Sequence, residues 1–174
     1  MTWRTHLAGG AAALWLLVPI PHVLTMQTYG LAVVCAGWGA LLPDLDSRAS
    51  RLREVSIYGV YPFVILSQIV RASSAHRGIL HSLLGLGFIT VCIALPLGLL
   101  FNGIAGVALL LGYGSHLVLD CCTPHGLRLM WPKEDRYFVL PKGARITTGS
   151  DLEQVVFVPL LCAILVLALR LLHT

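Results

Sequence analysis

His116 and Asp120 lie four residues apart in the stretch 112–123 (GYGSHLVLDCCT), near the end of a hydrophobic run. At about 100° per residue, this spacing sets an imidazole and a carboxylate one turn apart on one helix face, which is a metal-ligand spacing. Burying such a pair in an apolar segment is expensive, so the pair requires a partner, an ion or a water-filled cavity. A His–Asp hydrogen bond closing the helix end would satisfy it too. The remaining acids and histidines tip the balance toward a metal. Asp44 and Asp46 follow Pro43 in LLPDLD, His76 and His81 stand in AHRGILHS, and His6 opens the first apolar run. The two histidines of HRGILH are five apart, so they share no helix face and straddle a loop-to-helix junction.

Four imidazoles and three carboxylates without a thiolate form a nitrogen and oxygen set. Such a set suits a catalytic Zn²⁺, Mn²⁺ or Fe²⁺ better than a closed structural zinc site. Seven donors exceed what one tetrahedral ion uses. The expected cofactor is therefore a pair of divalent ions, two Zn²⁺ in the first instance, with Asp44 or Asp46 bridging and water in the open positions. Metal-activated water at such a centre attacks phosphorus or a carbonyl carbon. Arg77, between the two histidines, is placed to clamp a phosphate oxygen, although an arginine at a membrane edge also meets lipid headgroups. Asp46 and Glu153, the latter beside Asp151, are the candidates for proton transfer or for orienting a histidine. His125 and Ser115 neighbour the His116–Asp120 pair with no assigned role. Cys121 and Cys122 read as packing residues.

These residues need a membrane-embedded frame. Of 174 residues, 57% are hydrophobic and only 11% charged, outside the usual range for a soluble domain. The chain reads as an all-α, polytopic membrane helix bundle, a single domain over residues 1–174. Apolar runs at 6–22, 28–42, 83–101, 104–119 and 155–172 give about five spans. The first imitates a signal peptide, but no small-x-small site follows Pro19 and Pro21, so it is expected to be retained. Residues 47–75 begin with three arginines and carry polar interruptions, as an interfacial or re-entrant helix would. Five scattered cysteines without a CxxC pair give no disulfide framework. The net charge of +4 raises the question of nucleic acid, but the basic residues flank apolar segments, where headgroups and topology account for them.

If 47–75 does not cross, all seven candidate donors share one side of the membrane. Every Lys and Arg except Arg170 shares it too, and the positive-inside rule makes that side cytoplasmic. A site at headgroup depth is reached most directly by lipids diffusing laterally. The expected substrate is therefore a lipid or lipid-linked phosphoester. Hydrolysis of a lipid acyl ester or amide, and non-enzymatic metal transport or sensing, are the alternatives.

TH near the N-terminus, LLPDLDSRAS, AHRGILHSLL, LGYGSHLVLDCCTPHGLRLMWP and the later RYFVLP closely resemble the YdjM family of bacterial inner-membrane, metal-dependent hydrolases. The resemblance extends over almost the whole chain. It implies that His6, Asp44, Asp46, His76, His81, His116 and Asp120 are metal ligands. It also implies a multi-pass protein of the bacterial inner membrane. Ser47 stands where relatives often carry a further histidine, so one outer ligand is missing. The HxxxD element is similar to that of zinc-dependent phospholipase C, which implies phosphoester or phosphodiester hydrolysis.

Overall fold

The computed structural model of the protein describes residues 1–46 and 78–172, together with Ser56, Tyr61, Val64 and Gln68, and Asp46 by its backbone alone. The described residues are all-helical, without a strand beyond one isolated bridge between Leu127 and Tyr137. The helices are α1 (Trp3–Ala12), α2 (Met26–Leu41), α3 (Leu83–Leu100), α4 (Gly103–Cys121) and α5 (Asp151–Leu172).

Most of these helices start on a side chain that absorbs orphan amide protons. Thr25 and Thr28 form a reciprocal capping box on α2. Asn102 accepts from the Ile104 amide at 2.9 Å and Ser82 from the Gly85 amide at 3.3 Å, which open α4 and α3. Within α3, Pro96 has no amide proton and would crowd the carbonyl four residues back. Residues Thr90–Ala94 widen into a π-turn immediately before it, keeping the helix continuous.

Among the described residues, three helices are long and apolar enough to cross a membrane: Leu83–Leu100, Gly103–Cys121 and Asp151–Leu172. The other two expected spans form shorter helices. After ten residues α1 tightens into a 3-10 segment, Ala13–Leu17, and α2 runs for 16 residues. The last helix begins at Asp151, ahead of the expected 155, because the acids of its first turn belong to the helix.

The core is the packing of α2 against α4, with α1 alongside. A Cβ at Gly39 would strike the carbonyl of Leu109, and one at Gly112 would strike the carbonyl of Ala36. The two backbones meet where each helix offers a glycine, the close approach that small residues permit between membrane helices. A side-chain indole and a phenol attach α5 to this core: Trp15 Nε1 donates to Ala163 O at 2.8 Å, and Tyr29 Oη to Ile164 O at 3.2 Å.

Residues 122–150 fold across the end of α4 and use its unpaired carbonyls. Val139 N donates to Cys121 O at 3.0 Å and Ile146 N to Cys122 O at 2.9 Å. The same segment holds the start of α3 through Leu83 N and Leu129 O at 2.9 Å.

Candidate metal centre

Five of the seven expected donors meet at one end of the bundle: His6 from α1, Asp44 from the 3-10 turn Pro43–Asp46 after α2, His81 from the turn Ile79–His81 before α3, and His116 with Asp120 from α4. Two triads, His6–His116–Asp120 and Asp44–His81–His116, each have their ligand atoms within 4.8 Å of one another. The side chain of Asp46, and His76 and Arg77 entirely, lie outside the described residues. Because His81 Nε2 comes within 3.7 Å of Asp44 Oδ1, the chain re-enters at the end of the bundle it left after α2.

His116 is the hub. Its Nδ1 donates to Ala40 O at 2.7 Å, one of the carbonyls in the last turn of α2 that has no partner within its own helix. A carbonyl only accepts, so the proton sits on Nδ1 and Nε2 presents its lone pair to the site. His81 Nε2 lies 3.3 Å from His116 Nε2. The turn that carries His81 is anchored by the Tyr113 hydroxyl, fully buried, which donates to Leu80 O. Tyr113 thus presents one partner one turn before His116 presents another. The ring of His6 stacks on that of His116 with centroids 3.7 Å apart.

The carboxylate of Asp120 faces two ways. Its Oδ1 lies 3.3 Å from His6 Nε2 and accepts from the Met1 amino group at 2.6 Å. Its Oδ2 lies 3.9 Å from both His81 Nε2 and His116 Nε2. Asp44 Oδ1 closes the second group, 3.7 Å from His81 Nε2 and 3.9 Å from His116 Nε2.

Two ligands of a tetrahedral zinc, each about 2.0–2.1 Å from the ion, stand roughly 3.3–3.4 Å apart. The closest donor separations, 3.3–3.9 Å, start at that value, and nitrogen and carboxylate oxygen are the donors such an ion takes. The residues fit a divalent cation. The imidazoles of His6, His81 and His116 are buried, and the side chain of Asp120 is 3% exposed while that of Asp44 is 25% exposed. Solvent therefore meets the cluster at Asp44. Burial alone would raise that carboxyl's pKa, but the hydrogen bond from His81 and the nearby His116 and His6 rings outweigh it and leave it below the usual carboxylate value.

The remaining candidates sit apart from the cluster or are engaged elsewhere. Glu153 is buried, and both of its oxygens accept hydrogen bonds from the first turn of α1 and from Gly149. Asp151 and His125 are exposed, and the Ser115 hydroxyl bonds to Gly112 O at 2.7 Å within its helix. Burial first, and Asp120 second, push the Cys122 thiol above its usual pKa, so it stays protonated as a packing residue does. Ala40 O and Tyr113 aim the histidines without any sequence motif: one is a main-chain carbonyl, and the other reads as an apolar aromatic.

The sequence matches the family described as YdjM inner membrane protein over residues 1–173. It is 30% identical to the uncharacterized protein YvsG of Bacillus subtilis over 167 residues, covering 94% of this chain and 91% of that protein. It is 32% identical to the inner membrane protein YdjM of Escherichia coli over 99 residues, 56% of this chain and 47% of that protein, with the same values for its Shigella flexneri counterpart. No solved structure matches. The chain is a membrane protein with a buried histidine and aspartate cluster that could bind a metal ion, and it belongs to the YdjM family.

Proposed function

We propose that the protein is a membrane-bound, metal-dependent hydrolase of a lipid or lipid-linked phosphoester. The single observation that carries this reading is the convergence of three imidazole nitrogens and two carboxylates at the end of an apolar bundle, with one donor open to solvent. When bound, a divalent ion would supply a Lewis acid and water activated near neutral pH. The chain's own residues do the rest. His116, oriented by Ala40 O, and His81, held through Tyr113 and Leu80, keep their nitrogens aimed at one small volume. Asp44, at the open side, sits where a phosphoester would enter. Arg77, which lies outside the described residues, is assigned from the sequence alone as the clamp for a phosphate oxygen.

Two ions are the proposed complement, and Asp120 would help hold them. Its oxygens face separate groups, Oδ1 toward His6 and Oδ2 toward His81 and His116. The α1 helix with its 3-10 extension, roughly 25 Å long, and α2, roughly 24 Å, are proposed to cross as well. That gives five passes in a bacterial inner membrane with the cluster at the cytoplasmic face, as the placement of all Lys and Arg but Arg170 supports. Beside α4, an apolar groove of about 550 Å³, lined by Leu16, Leu110, Val118 and Leu119 among others, suits the acyl chain of an amphiphile.

The test is elemental analysis of detergent-purified protein followed by turnover on phospholipid and phosphodiester substrates. About two equivalents of metal with release of phosphate or a phosphoryl headgroup is the expected result. Release of fatty acid would move the reading to acyl-ester hydrolysis, and bound metal without turnover to transport or sensing.

A further inference from the structure

Glu153 lies in the first turn of α5 at 1% exposure, and its bonds bear on which of its two expected roles, proton transfer or orienting a histidine, it is built for. Its Oε1 accepts from the Thr2 amide at 2.5 Å and from the Thr5 hydroxyl at 2.7 Å, and its Oε2 from the Gly149 amide at 2.6 Å. With both oxygens occupied by donors, the carboxylate is poorly placed to exchange a proton with substrate.

Its partners identify what it does. Thr2 is the N-cap of α1, yet its side chain makes no capping bond to that helix's amides. In the usual capping box, a Glu or Gln at the third helical position reaches back to the N-cap amide. Here that position is Thr5, which has no carboxylate. Glu153 supplies the missing group from the last helix, bonding both the N-cap amide and the third-position side chain. Its negative charge also faces the positive end of the α1 dipole.

The residue after Thr5 is His6, whose amide closes the first turn on Thr2 O at 3.1 Å. A metal-binding histidine is ordinarily aimed by a hydrogen bond at its second ring nitrogen. His6 Nδ1 is buried without such a bond among the described residues. The direction of its ring is therefore set by where α1 begins and by the stack on His116.

We propose that Glu153 is a positioning residue: it completes the cap of α1 from the opposite end of the chain and so aims His6 Nε2 at Asp120 Oδ1. The proposal rests on the reading of His6 as a metal ligand.

Full-length protein in detergent, stripped of metal and titrated with Co²⁺, provides the test, because cobalt absorption reports ligand number and affinity together. Glu153→Ala is expected to weaken Co²⁺ binding about 10–100-fold and to change the spectrum in the same sense as His6→Ala. Added to His6→Ala, it is expected to have no further effect. Glu153→Gln, which keeps an oxygen for Thr2 and Thr5, restores most of the affinity. Thr5→Val removes one of the bonds and carries the test if Glu153→Ala does not fold; it is expected to weaken binding by a smaller factor. Wild-type affinity and spectrum in Glu153→Ala, or equal weakening with His6 already removed, would overturn the proposal. Wild-type protein that takes up no cobalt would instead overturn the metal reading itself.

Discussion

Helices α4 and α5 both have the length and apolarity of membrane spans, yet they differ in what covers them. In the most apolar window of α4, 61% of residues are buried inside the protein, against 11% in α5. The sequences show why. Helix α4 alternates Gly, Ala and Leu with Tyr113, Ser115, His116 and Asp120, whereas α5 beyond its first turn is almost uniformly aliphatic. Small residues let a neighbouring backbone approach, and polar ones require a protein partner, so their presence marks the helix that protein surrounds. A uniform aliphatic surface asks only for lipid.

The largest effect should come from the hub. His116→Ala is expected to abolish metal binding, since both triads pass through that ring, and elemental analysis beside wild type would show it. Retention of full metal content would dissolve the contrast between a functional and a lipid-facing helix. Next comes the helix contact itself. Gly39→Ala drives a Cβ into the Leu109 carbonyl and is expected to cost about 3 kcal/mol in detergent unfolding. Gly87→Ala in α3, where a Cβ meets nothing within 4 Å, should cost nothing measurable. Removing the Tyr113 hydroxyl with Phe leaves Leu80 O without that bond. About 1–2 kcal/mol of stability and some metal affinity should go with it, separable by titration and thermal melting. The smallest change is Leu165→Ala, at a position 64% exposed on α5, expected to stay within about 0.5 kcal/mol. A loss there as large as that of Gly39→Ala would mean that α5 is covered by protein rather than lipid.

Much of this was legible in the residues. The spacing of His116 and Asp120 placed both on one helix face, and continuous apolar runs marked α3, α4 and α5 to within a few residues, because hydropathy and the helical repeat are local properties. Helix α1 was less legible: nothing in 6–22 signals the tightening after Ala12 into a 3-10 turn. The approach of His6 to Asp120 was not legible either, since it depends on how α1 packs against α4, a contact between residues more than a hundred positions apart. Glu153 just before the last apolar run reads as an acid or base or as a group that orients a histidine, without saying which. Its actual partners include two amide protons, a kind of group every residue but proline carries, so no motif distinguishes it. His76 and Arg77 fall outside the described residues, and their roles stay with the sequence reading.

The bond from Glu153 to the start of α1 also has a consequence in time. The two partners are 151 residues apart, and a ribosome adding roughly 5–20 residues per second delivers Glu153 on the order of ten seconds after Thr2. Throughout that interval the first helix lacks the carboxylate that caps it. The cap of α1 is thus completed only once the chain has been made as far as the start of α5.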